Sequence, residues 1–200
     1  MATIVVEGPI GVGKTSLARY LASELDARMV LEVVEENPFL PGFYREPERF
    51  AFQAQVFFLL SRFRQQMALA QEALFHRHTV SDYLFDKDFL FASLNLGGSE
   101  WTLYRELYEQ LQPRLPRPDL VVYLRADPDL LLERIAQRGR SFEHAIDPDY
   151  LRRIGEAYDT FFRHAPYPVH VIEAGDVDYV ASEADRRDLL GRLIRLARAA

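Results

Sequence analysis

A glycine-rich stretch near the N-terminus constrains the fold of this chain more than any other feature. Residues 8–15 read Gly-Pro-Ile-Gly-Val-Gly-Lys-Thr, and they follow an apolar, β-branched run at residues 3–7. After Lys14, apolar residues recur at helical spacing through residues 17–25. This order predicts a buried parallel strand, a tight loop and an amphipathic helix in succession.

The loop itself predicts a site for a nucleoside triphosphate. Glycines remove side chains where backbone N–H groups must point inward at an anion, and the positive end of the following helix adds to the attraction. Lys14 is expected to reach the β- and γ-phosphates, and the Thr15 hydroxyl to ligate Mg²⁺. A glycine turn that merely joins strand and helix is the alternative, which the strand–loop–helix context disfavours. The expected nucleotide contacts are Gly8, Pro9, Ile10, Gly11, Val12, Gly13, Lys14, Thr15 and Ser16.

The rest of the chain alternates apolar strand patterns with helical ones. Further strands are predicted at residues 28–34, 79–81, 120–124 and 169–172, and helices at residues 50–75, 101–111, 128–138, 148–164 and 183–198. Residues 37–42, which contain two prolines and end in glycine, predict a turn. Strands that alternate with helices favour an α/β fold, a five-stranded parallel sheet flanked by helices, with ligands at the carboxyl ends of the strands.

Composition narrows the class of protein. The chain has 200 residues, 48% of them hydrophobic, which suits one domain over residues 1–200. A formal net charge of -6 argues against a nucleic acid polymer as the ligand, because such binding needs a basic face. The sequence has no Cys and no apolar run near the roughly 20 residues of a membrane span, so we expect a cytoplasmic protein with no membrane partner.

Beyond the loop, several segments resemble the deoxyribonucleoside kinase family, and the likeness runs over nearly the whole chain. Residues 32–38, Glu-Val-Val-Glu-Glu-Asn-Pro, resemble the family segment whose Glu accepts the proton of the nucleoside 5′-hydroxyl. Matched by position, that base is Glu32. Val33 stands where the family usually has Pro, so Glu35 and Glu36 remain alternative bases. The resemblance implies a P-loop kinase fold.

Residues 44–55 resemble the family segment in which a Tyr binds the sugar 3′-hydroxyl and a Gln eleven residues later pairs with the base. Tyr44 and Gln55 keep that spacing, and Arg62 matches a base-edge Arg seven residues further on. A buried amide both donates and accepts hydrogen bonds, which lets it recognise a nucleobase edge. Without the resemblance, a solvated Gln55 and a surface ion pair for Arg62 would be the simpler interpretations.

The third predicted strand leads into Ser-Asp-Tyr at residues 81–83, where the family usually has an acidic residue, Arg and Ser. Asp82, at a strand end beside the phosphate loop, suits a carboxylate on or next to Mg²⁺. The family's Arg, which contacts the 5′-hydroxyl and phosphates, has no match, and Lys87 falls where the family often has a base-reading Asp. The Ser-Asp-Tyr run and Asn-Pro-Phe-Leu at residues 37–40 resemble bacterial purine members, especially deoxyguanosine kinases.

Residues 133–143 resemble the family's Arg-rich lid, which we expect over about residues 134–146. Arg134 and Arg138 are one helical turn apart and Arg140 follows a glycine, so closure would bring three guanidiniums onto the transferring phosphates and exclude water. A basic helix face in contact with solvent is the alternative. The resemblance makes Glu143 a second sugar contact, the partner of Tyr44.

Residues 175–178, after the last predicted strand, resemble the family segment whose backbone holds the adenine of ATP. That places Asp176, Val177 and Asp178 at the nucleotide, although an ordinary turn rich in Asp and Gly explains the composition equally well. The resemblance also implies a homodimer, for which the long aromatic helices in the middle of the chain would supply the face.

The resemblance implies an enzyme that transfers the γ-phosphoryl group of ATP to the 5′-hydroxyl of a deoxyribonucleoside, a purine in particular. In that reaction Glu32 is the base, Lys14 and the three arginines stabilise moving charge, and Thr15 and Asp82 hold Mg²⁺. A nucleoside monophosphate kinase of the thymidylate type is the nearest alternative, but a carboxylate at Glu32 would repel the acceptor's own phosphate. A regulatory GTP-binding switch is disfavoured because no Asn-Lys-x-Asp segment is present.

Overall fold

A parallel sheet forms the centre of the protein. The structure, a computed structural model, describes residues 2–34, 36–72, 78–140 and 146–199. The strands in these residues are β1 (Ala2–Glu7), β2 (Arg28–Val30), β3 (His78–Ser81), β4 (Leu120–Arg125) and β5 (Val169–Glu173). They pair in the order β2-β3-β1-β4-β5, and every pairing is parallel. The predicted five-stranded parallel sheet is confirmed.

Helices follow the strands along the chain. The described helices are α1 (Lys14–Glu24), α2 (Leu40–Arg45), α3 (Pro47–Glu72), α4 (Lys87–Asn95), α5 (Gly98–Leu111), α6 (Pro128–Arg138), α7 (Pro148–Arg163) and α8 (Glu183–Ala199). A 3₁₀ turn at Gln112–Arg114 follows α5. Among the described residues, no helix combines the length and the apolar character that crossing a bilayer requires.

The central strands are buried on both faces. Val121, Val122 and Leu124 of β4 are each 0% exposed, as is Val6 of β1. Consecutive buried residues explain why these strands appear in the sequence as continuous apolar runs without alternation. Each such side chain contributes about 1.5–3 kcal/mol when removed from water, so β1 and β4 provide a stable base for the loops at their carboxyl ends.

The boundaries of α6 follow from local signals in the sequence. Pro128 occupies the first turn of the helix, where its missing N–H costs nothing, and the helix ends at Gly139. Gly139 has φ 68°, the left-handed conformation that a C-terminal glycine adopts readily. The helix was therefore predicted correctly over residues 128–138, and Arg140 lies just beyond its end.

The second strand is shorter than predicted. Pairing stops at Val30, whereas the apolar pattern continues to Val34. A hydrogen bond to the residue after β3 accounts for the early end of β2. The backbone N–H of Glu32 donates to the Asp82 carboxylate at 2.7 Å. This bond turns residues 31–34 out of the sheet and directs the Glu32 side chain into the cleft described below.

Two helices were not predicted. Residues 37–42 were interpreted as a turn, but α2 begins at Leu40 and places Pro41 in its first turn, where proline is tolerated. Helix α4 was missed because Lys87 and Asp88, at its start, are charged yet buried, which disguises the apolar face. The remaining predicted bounds differ from those observed by one to three residues; the predicted end of the long helix, residues 73–75, lies outside the described residues.

Candidate active site

The glycine loop between β1 and α1 has a backbone that side chains would disrupt. Gly13 has φ 104°, and a Cβ atom there would lie 2.3 Å from the Tyr179 hydroxyl oxygen. At Gly8, with φ 153°, a Cβ atom would lie 2.3 Å from the backbone oxygen of Leu124. Both positions therefore require glycine, because an L side chain would be strained and would also clash.

Lys14, the first residue of α1, folds back over this loop. Its Nζ donates hydrogen bonds to the backbone oxygens of Gly8 at 2.8 Å and Pro9 at 3.0 Å. Burial lowers the pKa of Lys14 to about 8, and the nearby carboxylates, Glu7 foremost, oppose that shift. Phosphate oxygens would replace these carbonyl acceptors without moving the lysine out of the loop.

Thr15 and Asp82 meet where α1 begins and β3 ends. The Thr15 hydroxyl donates to an Asp82 carboxylate oxygen at 2.5 Å, and the other Asp82 oxygen accepts from the Glu32 N–H. Among the described residues no group of three or more His, Cys, Asp or Glu could hold a metal ion. Mg²⁺ in phosphoryl transfer needs only one or two protein oxygens, because phosphates and waters supply the rest. The Thr15–Asp82 pair fits that chemistry.

Tyr179, which the sequence analysis missed, and the predicted Arg134 fasten the loop from outside. The Tyr179 hydroxyl lies 3.3 Å from the backbone oxygen of Val12 and 3.2 Å from that of Gly13. Arg134 donates to the oxygen of Val12 at 3.0 Å and to that of Ala174 at 3.1 Å. Arg134 thus ties the loop to the segment after β5 in this conformation. Tyr179 carries no sequence signal of its own, since it follows an Asp-rich turn.

Glu7, the last residue of β1, is the second feature that was missed. Its carboxylate accepts hydrogen bonds from the N–H groups of Gly8 and Leu84, both at 2.8 Å, and from the Tyr158 hydroxyl at 3.0 Å. Glu7 is 0% exposed, so these donors take the place of water around its charge. A Glu within an otherwise apolar strand, immediately before a glycine loop, was the available signal.

Glu32 lies opposite the glycine loop between two cations. Arg62 is bonded to one carboxylate oxygen, and the Lys87 Nζ donates to the other at 2.8 Å. Burial by itself would raise the pKa of Glu32, but the charges of Lys87 and Arg62 outweigh it and hold that pKa well below its ordinary value. The carboxylate is therefore ionised and oriented. Of the alternative bases, Glu36 is exposed, and Glu35 lies outside the described residues.

The predicted base-reading residues are buried. Gln55 is 4% exposed and Arg62 is 7% exposed, which rules out the solvated alternatives. Arg62 lies over the Phe58 ring, with 4.3 Å from the guanidinium carbon to the ring centroid, and forms an ion pair with Asp88. Asp88 is thus a buried acidic partner of Arg62. Lys87, which falls where the family often has a base-reading Asp, donates to Glu32.

Aromatic rings line the rest of the acceptor side. The Tyr44 ring lies 5.4 Å from that of Phe43, and Phe43 lies 6.3 Å from Tyr150, centroid to centroid. The Tyr150 hydroxyl accepts a hydrogen bond from Asn95 at 2.9 Å. Together with Phe91, these rings give the acceptor side an apolar lining, which suits a base and a sugar.

These parts enclose one cleft of about 390 Å³. The predicted residues that line it are Ile10, Gly11, Gly13, Lys14, Thr15, Ser16, Glu32, Tyr44, Gln55, Arg62, Asp82, Lys87, Arg134, Arg138 and Arg140. Gly8, Pro9 and Val12 are outside this lining, and their backbone oxygens accept hydrogen bonds from Lys14 and Arg134. Residues 141–145 of the predicted lid, Glu143 among them, lie outside the described residues.

The segment after β5 lies outside the described lining of the cleft. Asp176, Val177 and Asp178 do not line the described cleft. The Asp178 carboxylate instead accepts from the N–H groups of Val180 at 3.2 Å and Ala181 at 2.9 Å, as in an ordinary turn. Contact of this segment with adenine stays a prediction.

Comparison with known proteins agrees with this geometry. The family model described as deoxynucleoside kinase matches residues 4–196. The deoxyguanosine kinase of Lactobacillus johnsonii is 35% identical over 209 residues, covering 97% of this chain and 92% of that one. The deoxyadenosine kinase of Lactobacillus acidophilus is 32% identical over 202 residues, covering 94% and 92%.

A solved structure shares the fold. The deoxyadenosine kinase of M. mycoides, solved with the products dCMP and dCDP, superposes with a TM-score of 0.83 at 24% identity. The superposition covers 96% of this chain and 99% of that one. The arrangement of strands and helices is therefore common to both chains over their whole lengths.

Proposed function

The chain belongs to the deoxynucleoside kinase family and is an ATP-dependent phosphotransferase that acts on deoxynucleosides; we propose that its acceptor is a purine deoxynucleoside, deoxyguanosine before deoxyadenosine. One observation carries the acceptor side of this proposal. The ionised Glu32 lies between Arg62 and Lys87, across the cleft from the glycine loop. A carboxylate in that position suits a neutral hydroxyl as the acceptor.

The buried polar groups support a purine. Guanine presents the acceptors O6 and N7 to a guanidinium, and adenine presents N7 with an amino donor to an amide. Arg62 supplies the first kind of partner and Gln55 the second, and both are buried beside the cleft. Asp88, which is outside the described lining of the cleft, keeps Arg62 aligned. Guanine can use both lining side chains, because it offers O6 and N7 as acceptors and its N–H groups as donors, which favours deoxyguanosine.

The reaction follows from the positions of these residues. The 5′-hydroxyl gives its proton to Glu32 as its oxygen bonds to the γ-phosphorus, and the bond from that phosphorus to the β–γ bridging oxygen breaks to release ADP. Because Glu32 has a lowered pKa, proton transfer is late, which suits the loose transition state of phosphoryl transfer. Glu32 thus acts mainly by orienting the hydroxyl for in-line attack.

The donor side is proposed to hold ATP through the loop backbone and Lys14. Thr15 and Asp82 would hold Mg²⁺, which neutralises charge on the β- and γ-phosphates when bound. Arg134, Arg138 and Arg140 are proposed to belong to a lid over about residues 134–146 of this single domain. Their guanidiniums would stabilise the transferring charge and exclude water, with Glu143 and Tyr44 on the sugar. Asp176, Val177 and Asp178 are proposed to support adenine.

The proposal extends to assembly and location. Helices α3 and α5 pack together and expose Leu60 at 43% and Leu103 at 48%, which fits a homodimer through this face. A cytoplasmic location suits an ATP-dependent enzyme without Cys. Light scattering of the purified protein at several concentrations would test the dimer.

A coupled assay tests the reaction and the acceptor. The purified protein is given ATP and Mg²⁺ with each of the four deoxynucleosides and, separately, each of the four deoxynucleoside monophosphates. Deoxyguanosine is expected to give the highest kcat/KM and deoxyadenosine the next. Phosphorylation of a monophosphate without that of any nucleoside would support the thymidylate-type alternative and overturn the proposal.

A further inference from the structure

Lys87 stands out among the residues of the acceptor half because it is a buried cation whose role the predicted reaction leaves open. Its side chain is 6% exposed at the first residue of α4. The Nζ lies 2.8 Å from one Glu32 oxygen and 3.8 Å from a Glu7 oxygen. Lys87 is therefore the ammonium that bridges the proposed base and the carboxylate beneath the glycine loop.

Among the described contacts, neither of the other two cations of this region bridges Glu7 and Glu32. Arg62 bridges Glu32 and Asp88, and Lys14 donates to the backbone oxygens of its own loop. Without Lys87, Glu7 would face Glu32 without an ammonium between them. Two buried carboxylates in one site repel each other and favour protonation or displacement of one of them. Lys87 removes that repulsion.

The composition of the chain adds an independent observation. Of its 24 basic residues only two are lysines, Lys14 and Lys87, and both line the cleft. At exposed positions the chain uses Arg throughout. An ammonium is a compact point charge on a flexible stem, whereas a guanidinium is a wide planar fork. The compact ammonium of Lys87 lies 2.8 Å from Glu32 and 3.8 Å from Glu7, a position that suits a point charge better than a planar fork.

We propose that Lys87 is a positioning residue for phosphoryl transfer, which holds the Glu32 carboxylate toward the acceptor hydroxyl and places positive charge beside the reacting oxygen. An oxygen hydrogen-bonded to Glu32 would lie within about 5 Å of the Lys87 Nζ, because both sit at hydrogen-bond distance from one carboxylate. The ammonium therefore acts on charge that develops during transfer.

This inference rests on the proposed function, and steady-state kinetics separate the two. In Lys87→Met, kcat for deoxyguanosine is expected to fall about 100- to 1,000-fold, the cost of removing one preorganised charged donor. KM for deoxyguanosine and for ATP should change by less than about tenfold, since the described partners of Lys87 are the carboxylates of Glu32 and Glu7. Lys87→Arg keeps the charge with a poorer fit and is expected to recover part of kcat.

Arg187→Met is the matched control, because Arg187 is 79% exposed on α8 and pairs only with Glu183 among the described contacts. It should leave kcat unchanged. A Lys87→Met variant with wild-type kcat, alongside an active wild type, would overturn the role of Lys87 and leave the proposed function standing. A wild type that phosphorylates no deoxynucleoside would overturn both.

A spectroscopic measurement covers the case in which Lys87→Met fails to fold. The wild-type protein, made with lysine carrying ¹³C at Cε, gives two side-chain signals because it has two lysines. The signal missing from Lys87→Arg belongs to Lys87. Deoxyguanosine alone is expected to shift the Lys87 signal, and ADP with Mg²⁺ to shift mainly that of Lys14. Saturating deoxyguanosine that leaves the Lys87 signal unmoved would overturn the proposal.

Discussion

The two halves of the cleft are built in different ways. The donor half is a contiguous loop, residues 8–16, whose backbone N–H groups are proposed to bind the phosphates. The acceptor half combines side chains from three separate parts of the chain: the segment after β2, α3 and α4. Their charges alternate in one buried network of Glu32, Arg62, Lys87 and Asp88. A phosphate site can be local because backbone dipoles suffice for an anion, whereas selection of a neutral nucleoside requires polar side chains brought from distant parts of the chain.

The difference implies that removal of a charged side chain disrupts the acceptor half, whereas an added side chain at a glycine disrupts the donor half. A substitution in one half should leave binding at the other half largely intact. The four predictions that follow test this separation, in order of decreasing expected effect.

Glu32→Gln should have the largest effect. The amide keeps the size of the side chain but cannot take the proton of the acceptor, so kcat should fall about 1,000-fold, within the range for loss of a general base. Binding of deoxyguanosine and of ATP, measured by calorimetry, should change far less. Glu36→Gln, at an exposed neighbouring position, is the control and should keep full activity. Unchanged turnover in Glu32→Gln would move the base to another residue.

Asp88→Asn should lower stability by about 3 kcal/mol, because it breaks a fully buried ion pair with Arg62. The loss lies at the low end for such pairs since Arg62 keeps Glu32 as a partner. Thermal unfolding should show a Tm lower by about 10 °C. Glu183→Gln removes an exposed ion pair on α8 and should leave Tm unchanged. Equal Tm values for the two variants would contradict a structural role for the buried pair.

Gly13→Ala should weaken ATP binding by about 2 kcal/mol, roughly 30-fold, because the new Cβ meets the Tyr179 hydroxyl at a left-handed backbone position. Deoxyguanosine binding should be nearly unchanged, and calorimetry with each ligand measures both. Gly155→Ala, on α7 with nothing within 4 Å of the added Cβ, is the control. Parallel losses of both ligands in Gly13→Ala would show that the halves are not separable.

Tyr179→Phe should have the smallest effect. Removing the hydroxyl deletes its contacts with the backbone oxygens of Val12 and Gly13, worth about 1 kcal/mol. The KM for ATP should rise about fivefold, while kcat and the KM for deoxyguanosine stay within twofold of wild type. A larger change in the KM for deoxyguanosine than in that for ATP would place Tyr179 outside the donor half.

The contrast between the halves also explains which residues could be predicted. Lys14 and Thr15 follow from spacing alone, and Asp82 from its place at the carboxyl end of a parallel strand, whereas Glu32 required the family resemblance. Gln55 and Arg62 required a family resemblance, since a polar residue on a helix is usually solvated. Asp88 and the helix α4 were missed because buried charges interrupt the apolar pattern from which helices are recognised.

The sequence by itself determined the five strands, six of the eight described helices, the glycine loop and the class of ligand predicted for that loop, because these depend on residues close together in the chain. Only the tertiary structure decided that Lys87 faces Glu32, that Asp88 pairs with Arg62, and that Glu7 and Tyr179 hold the loop. Those contacts join residues 26 to 167 positions apart. Pairing over such separations depends on how helices pack on the sheet, which local patterns do not encode.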